Sequence, residues 1–312
     1  MSKLIKIFSG SNGLNTKTDP VRLKFDPRNG ISELAACINI DISDDGRISR
    51  RAGYTATDRT ESWHSLFSCN SYALGVTGNA LAVIETDMSK TNIRNVTQNA
   101  RMSYVRDTDG TKDVIYYANG HETGKVINKL SYSWTAGDYV GATSRKEIYN
   151  PPTGHLLEIR NLRMFIAEGN ILWYSEAGSL SQFRLAANYF GFPSRIRMVQ
   201  AVDGGLLISD SESLYFLRMG QGFEIAPAIN EMPNQIKLAA YPAVEGTAVK
   251  VPGSRFSEGV PGIGIMFTST AGICFCSTDG QLVNISERKI DLPSSPSGAG
   301  LYKDGKYICT LN

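Results

Sequence analysis

The sequence predicts an all-β protein: a β-propeller of six four-stranded blades, or seven, closed by N- and C-terminal segments that share one blade. Three observations carry this expectation. Tight-turn dipeptides recur between short apolar runs, those runs are apolar on both faces, and each end of the chain holds only half a blade.

The turns come first. Asp45-Gly46 lies between Ala36–Ile40 and Arg47-Ile48-Ser49, and Gly78-Asn79 between Tyr72–Val76 and Ala80–Ile84. Gly169-Asn170 divides Met164–Ala167 from Ile171–Tyr174, and Asp279-Gly280 and Asp304-Gly305 recur near the end. Such pairs accept positive φ and form the primed turns that match the twist of paired strands. The runs themselves, such as Val114-Ile115-Tyr116-Tyr117, Leu206-Leu207-Ile208 and Leu214-Tyr215-Phe216-Leu217, are nearly continuous. A strand packed on both faces reads this way, and in a propeller each blade is covered by a neighbour on either side. A parallel α/β sheet would need amphipathic crossover helices. The one helix candidate, Ser179 to Tyr189, is short and runs into Gly191 and Pro193.

Taken in order, units open near Ser65-Leu66-Phe67, Met102–Val105, Leu156–Ile159, Ile196–Val199 and Gly264–Phe267, close to the ~40–50 residues of a propeller blade. The last unit has two clear strands, Gly300-Leu301-Tyr302 and Lys306–Cys309, and the early hairpin from Ala35 to Arg50 has two more. Together they make one blade and leave no open edge. The stretch from Ala239 to Arg255 is the candidate for part of a seventh. The expected division is an N-terminal arm over 1–34 and the propeller over 35–312.

Composition narrows the chemistry. The 312 residues are 42% hydrophobic and 20% charged, with 30 Gly, 12 Pro and a net charge of +2. This is a globular balance with no overall electrostatic footprint for nucleic acid or an anionic membrane. The absence of a long apolar run predicts no membrane insertion, and the start, Met1–Gly10, is too weakly apolar for a signal peptide. The five cysteines, Cys37, Cys69, Cys274, Cys276 and Cys309, are expected as reduced core thiols, and His64, His121 and His155 show no ligand spacing. No metal or other cofactor is expected.

No catalytic motif stands out, and the expectation is a protein that is not an enzyme. There is no Gly-x-Ser-x-Gly elbow and no phosphate-binding Gly-x-x-x-x-Gly-Lys loop. Gly262-Ile263-Gly264 lacks the third glycine of a dinucleotide site, and Asp41–Gly46 lacks calcium-loop spacing. Tyr104, Arg106, Tyr132, Trp134 and Arg145 interleave aromatic and basic groups, a pattern read as strand residues with solvated flanks.

Two segments resemble a known family. One is Asn39-Ile40-Asp41 through Asp45-Gly46-Arg47-Ile48-Ser49-Arg50-Arg51-Ala52-Gly53-Tyr54. The other is Leu172-Trp173-Tyr174-Ser175-Glu176 with Phe183, Asn188 and Pro193, continuing through Asp203–Leu206 to Tyr215-Phe216-Leu217. They look like the nozzle or hub β-propellers of short-tailed bacteriophages, with Ala52 where proline is common. The resemblance implies a homo-oligomeric ring, often a hexamer, made in the host cytoplasm and built into the virion tail below the portal and adaptor. It implies DNA passing through without sequence-specific binding, and no catalysis. Contacts between subunits are expected at Leu4, Ile5, Phe8, Val21, Leu23 and Phe25 of the arm and at Arg50 and Arg51. Ser9–Asn15 and Asp26–Gly30 are expected as loops, Val21–Phe25 as a half-buried strand, and the arm as ordering on a neighbouring subunit. The alternative function is a carbohydrate-binding or glycosidase-type propeller used in host-surface attachment.

Overall fold

The computed structural model describes residues 9–43, 45–53, 55, 60–108, 113–137, 147–219, 235–255 and 262–312. Among them there is no α-helix, and the chain is a β-propeller of successive four-stranded antiparallel sheets.

Blade 1 comprises β6 (Trp63–Ser68), β7 (Ala73–Thr77), β8 (Ala80–Ile84) and β9 (Lys90–Asn95). Blade 2 follows with β10 (Ser103–Thr108), β11 (Asp113–Ala118), β12 (Thr123–Ile127) and β13 (Leu130–Tyr132). Blade 3 has β14 (Leu156–Arg160), β15 (Arg163–Glu168), β16 (Ile171–Tyr174) and β17 (Tyr189–Gly191). Blade 4 has β18 (Met198–Val202), β19 (Gly205–Ser209), β20 (Leu214–Arg218) and β21 (Gln235–Ala239). Blade 5 has β22 (Val249–Pro252), β23 (Ile263–Ser269), β24 (Gly272–Cys276) and β25 (Leu282–Asn284). Each blade pairs in chain order. β10 packs beside β14, and β14 beside β18, so the first strands line the axis and run the same way.

Four buried clusters fill the four spaces between these five blades. Neighbouring residues of a strand serve opposite clusters, because successive side chains leave opposite faces of a sheet. Ile115 and Tyr117 point to blade 1, whereas Tyr116 and Ala118 point to blade 3. Met164 and Ile166 face blade 2, while Phe165 and Ala167 face blade 4. The unbroken apolar runs therefore have a physical cause: both faces are interior.

The sixth position holds two hairpins, β4–β5 (Ile40–Ile42, Ile48–Arg50) and β26–β27 (Gly298–Lys303, Lys306–Leu311). Each pairs only within itself among the described residues. What joins them is an ion pair, Lys306 Nζ to Asp41 Oδ2 at 3.3 Å, rather than a ladder. β26 is moored to blade 5, where Gly298 N donates to Glu245 O at 2.9 Å and Gly300 N to Gly246 O at 3.1 Å. The Tyr307 hydroxyl donates to Thr247 O at 2.8 Å and meets Thr268 Oγ1 at 3.0 Å.

Several expectations need correction. Ala239–Arg255 builds no seventh blade: Val249–Pro252 is the first strand of blade 5, hidden from a sequence reading by Pro252 at its end. The short helix candidate over Ser179–Tyr189 forms no helix, in keeping with the all-β expectation, and Phe183 bridges to Tyr149 and Ser175. Gly78-Asn79, Gly169-Asn170 and Asp304-Gly305 are two-residue turns. Asp45-Gly46 and Asp279-Gly280 sit instead in five-residue loops, where Ile42 pairs with Ile48 and Cys276 with Leu282. In both loops a serine hydroxyl two residues before the aspartate donates to its Oδ1, and the glycine N donates to that serine's carbonyl.

The arm is more ordered than its composition suggests. Gly10–Leu14 forms β1 and pairs in parallel with β3 (Ile31–Leu34), which also pairs with β2 (Phe25–Asp26). Val21 is not in a strand. Pro20–Arg22 is a 3-10 turn capped by Asp19, whose carboxylate accepts from Val21 N at 2.9 Å; proline at the first position favours that turn. The arm also docks on its own chain. Thr16 N donates to Lys289 O at 2.7 Å, Lys289 Nζ donates to Asn12 O at 3.2 Å and pairs with Glu33 at 3.3 Å.

Candidate functional site

The expected contact residues do not form one cluster. Leu4, Ile5 and Phe8 lie outside the described residues, as does Arg145. Val21 is 93% exposed and Phe25 47%, with Leu23 half-buried between them. Arg50 is exposed, whereas Arg51 Nε is held by Asp41 Oδ1 at 3.1 Å. Tyr104 stacks on Phe67 at 5.2 Å and Trp134 is buried against Tyr116, so the aromatic-basic series forms no open platform. An aromatic pair beside a carboxylate does occur on the outer strands of blade 3: Trp173 meets Tyr189 edge-on at 5.5 Å and donates through Nε1 to Glu168 at 2.9 Å.

A larger apolar surface lies where blade 1 meets the terminal hairpin. A cavity of about 850 Å³ is walled by Trp63, Leu66, Phe67, Tyr72, Met88 and Leu301, among others. Gly75 pairs with Ala82, and a side chain at Gly75 would collide with Leu66 and Trp63. Leu66 is 65% exposed, Met88 52% and Leu301 54%, and Ile308, directly opposite Leu301 in the hairpin, is 47% exposed. The flanking charges are already paired, Lys129 with Glu85 at 2.7 Å and Lys90 with Glu61 at 3.5 Å. Contiguous exposed apolar surface of this kind marks a contact site more often than scattered exposed residues do. The sequence signal for it was present only in part, as the half-blade at the C-terminus.

Polar groups gather along the axis instead. Glu158 on β14 is buried, accepts from Ala201 N at 3.2 Å and pairs with Lys250 of β22 at 3.2 Å. Arg160 donates to the carbonyls of Val202 and Asp203. At the end where the first strands begin, Arg101 Nη1 donates to Glu245 O at 3.2 Å and Gly298 O at 2.9 Å. Arg195 Nη1 reaches Glu245 Oε2 at 2.9 Å, and His155 Nε2 lies 2.7 Å from Ile196 O. His64 on β6 meets Ser65 Oγ at 2.9 Å through Nδ1. Ser65 has φ +53 at an irregularity in β6, which turns its hydroxyl to accept Met102 N at 2.9 Å. Burial pushes both imidazoles below the ordinary histidine value, with Arg101 adding to the effect at His64 and Arg195 at His155.

Among the described residues this arrangement does not complete a hydrolytic triad. Ser65 Oγ accepts from a backbone N–H, and among the described residues no carboxylate hydrogen-bonds to His64. The generalised triad needs nucleophile, base and orienting group in hydrogen-bonded series. No cluster of His, Cys, Asp and Glu suited to a metal occurs among the described residues. No helix of the described residues is long and apolar enough to cross a membrane.

No family model and no curated protein matches the chain. Among solved structures, a streptogramin B lyase aligns over 87% of this chain and 83% of its own, at 13% identity and a TM-score of 0.47. The N-terminal domain of Nup159 covers 79% of this chain and 71% of its own, at 11% identity and a TM-score of 0.42. A protein of unknown function from Bacteroides caccae covers 78% and 86%, at 10% identity and a TM-score of 0.39. These are distant likenesses of overall shape, and the chemistry and partners of those proteins stay with them.

Proposed function

We propose that this chain is a non-catalytic structural subunit of a ring-shaped bacteriophage tail assembly, of the nozzle or hub kind, located in the virion. The observation that carries the reading is the exposed apolar face of Leu66, Met88, Leu301 and Ile308 beside the half-built sixth position. Its flanking charges are neutralised within the chain, which favours burial against another apolar surface. A head-to-tail contact repeated around an axis closes a ring, and the sequence resemblance supports six copies meeting adaptor and portal neighbours around passing DNA. Light scattering on the purified chain tests assembly: a ring is expected for the natural sequence, and a folded monomer for Leu66→Asp and for Leu301→Asp. A monomeric natural chain, or rings unaffected by both substitutions, would defeat the reading. Peptide mapping of purified virions tests location, and absence of the chain there defeats the tail assignment.

A further inference from the structure

We propose that the axial mouth is a binding site for a small oxyanion of the phosphate or carboxylate class, held by the open edges of Arg101 and Arg195. Each guanidinium carries five N–H donors in a fixed fork. Arg101 spends Nη1 on the two carbonyls of Glu245 and Gly298, and Arg195 spends Nη1 on the Glu245 carboxylate. Nε and Nη2 of both have no acceptor among the described residues; Arg195 is half exposed, and Arg101 is an exposed residue whose guanidinium is partly desolvated, which lowers its pKa. Glu245 thus meets both guanidiniums, Arg101 through its backbone carbonyl and Arg195 through its carboxylate. Both nearby histidines titrate below their ordinary value and add no charge near neutral pH.

The position of the forks is built in rather than incidental. Arg101 precedes β10, Arg195 precedes β18, Glu245 precedes β22 and Gly298 starts β26, so ring topology brings them to one end of the axis. Gly246 has φ +85, and the Arg101 guanidinium occupies the space a side chain there would fill. A third donor stands close by. Ser65 Oγ accepts from Met102 N and meets His64 Nδ1 at 2.9 Å; when the serine donates in that pair, the ring proton lies on Nε2. That Nε2 is shielded from solvent and has no hydrogen-bond partner among the described residues. Planar forks of this kind match the oxygens of phosphate and carboxylate in pairs, which a single ammonium does not.

The test is titration calorimetry of the full chain with inorganic phosphate and, separately, with citrate, ionic strength being held constant with sodium chloride. Saturable binding of at least one of the two is expected, and which one binds more tightly identifies the source. Arg195→Gln should weaken it by about tenfold or more, while Arg22→Gln, an exposed arginine of the arm, should leave it unchanged. Arg101→Lys, which keeps the charge but loses the fork, should also weaken binding. If that variant fails to fold, Arg195→Gln decides alone. A heat signal that never saturates, or one reduced equally by Arg22→Gln, overturns the proposal. Leu66→Asp is expected to bind as the natural chain does, so failure here leaves the assembly reading standing, and the reverse.

Discussion

Removing the Arg101 guanidinium should loosen the sixth position of the ring before it unfolds the rest. Arg101 belongs to the link between blades 1 and 2, yet it donates to Glu245 O ahead of blade 5 and to Gly298 O at the start of the terminal hairpin. Hydrogen bonds from a charged donor contribute about 1.5–3 kcal/mol. Glu245 is half-buried and Gly298 buried, so Arg101→Ala should cost ~2 kcal/mol. With an unfolding entropy of about 2.1 cal/mol/K per residue, the melting midpoint should fall by only ~3 °C. The more telling assay is hydrogen exchange by mass spectrometry. Peptides covering Gly298–Leu311 should lose protection, while the β15 and β19 peptides keep theirs. Gly246→Ala should mimic the loss, because its side chain would fill the guanidinium's place at a positive φ. The two changes combined should cost less than the separate costs added together, since the second finds the seat already empty. Unchanged exchange in the terminal hairpin, or strict additivity, refutes the argument.

Further expectations follow from other contacts. Tyr307→Phe removes the hydroxyl between Thr247 O and Thr268 Oγ1 and should cost about 1–2 kcal/mol in urea denaturation; no change would mean the hairpin is held by its backbone bonds alone. Glu33 is held below the usual carboxylate range, chiefly by the hydrogen bond from Asn15, with Lys24 N and Lys289 helping against burial. A depressed folded-state value gives stabilisation that is full above the ordinary carboxylate value of 4.5 and is lost as pH falls through the lowered one. Exchange in the β1 and β3 peptides should therefore rise only in acid below that range, and Glu33→Gln should abolish the dependence. All five cysteines are free, so Ellman titration in denaturant should count five thiols. In the native protein Cys37 and Cys309 should react first, because burial raises the Cys69 thiol to about 11 and the Cys276 thiol to about 12; early labelling of Cys276 would contradict its place in the core.

The fold class was legible because it rests on local rules. The Gly78-Asn79 and Gly169-Asn170 turns need positive φ at their first residue, which the glycine supplies. Runs such as Tyr116-Tyr117-Ala118 must be covered on both faces wherever they lie. Asn128-Lys129 and Asn161-Leu162, which also turn with positive φ at both residues, were missed because lysine and leucine carry no turn signal of their own. Val21 alternated like a strand residue, but Asp19 and Pro20 set a local turn that wins over the pattern.

The candidate sites were not legible, because no local rule places them. Arg101, Arg195 and Glu245 are far apart in sequence and carry no motif; they meet only because successive first strands return to one end of a common axis. The apolar face has the same origin. Leu66 and Leu301 are ordinary strand residues in sequence, and both are exposed because two short hairpins hold the sixth position, joined by the Lys306–Asp41 ion pair, where a full blade would cover them. Sequence determined that the chain folds as hairpin-linked strands and that the central blade strands are buried on both faces, since turn chemistry and side-chain alternation act over a few residues. Tertiary structure alone decided which polar groups share the axis and which apolar residues remain uncovered, since both depend on how blades far apart in the chain are arranged around it.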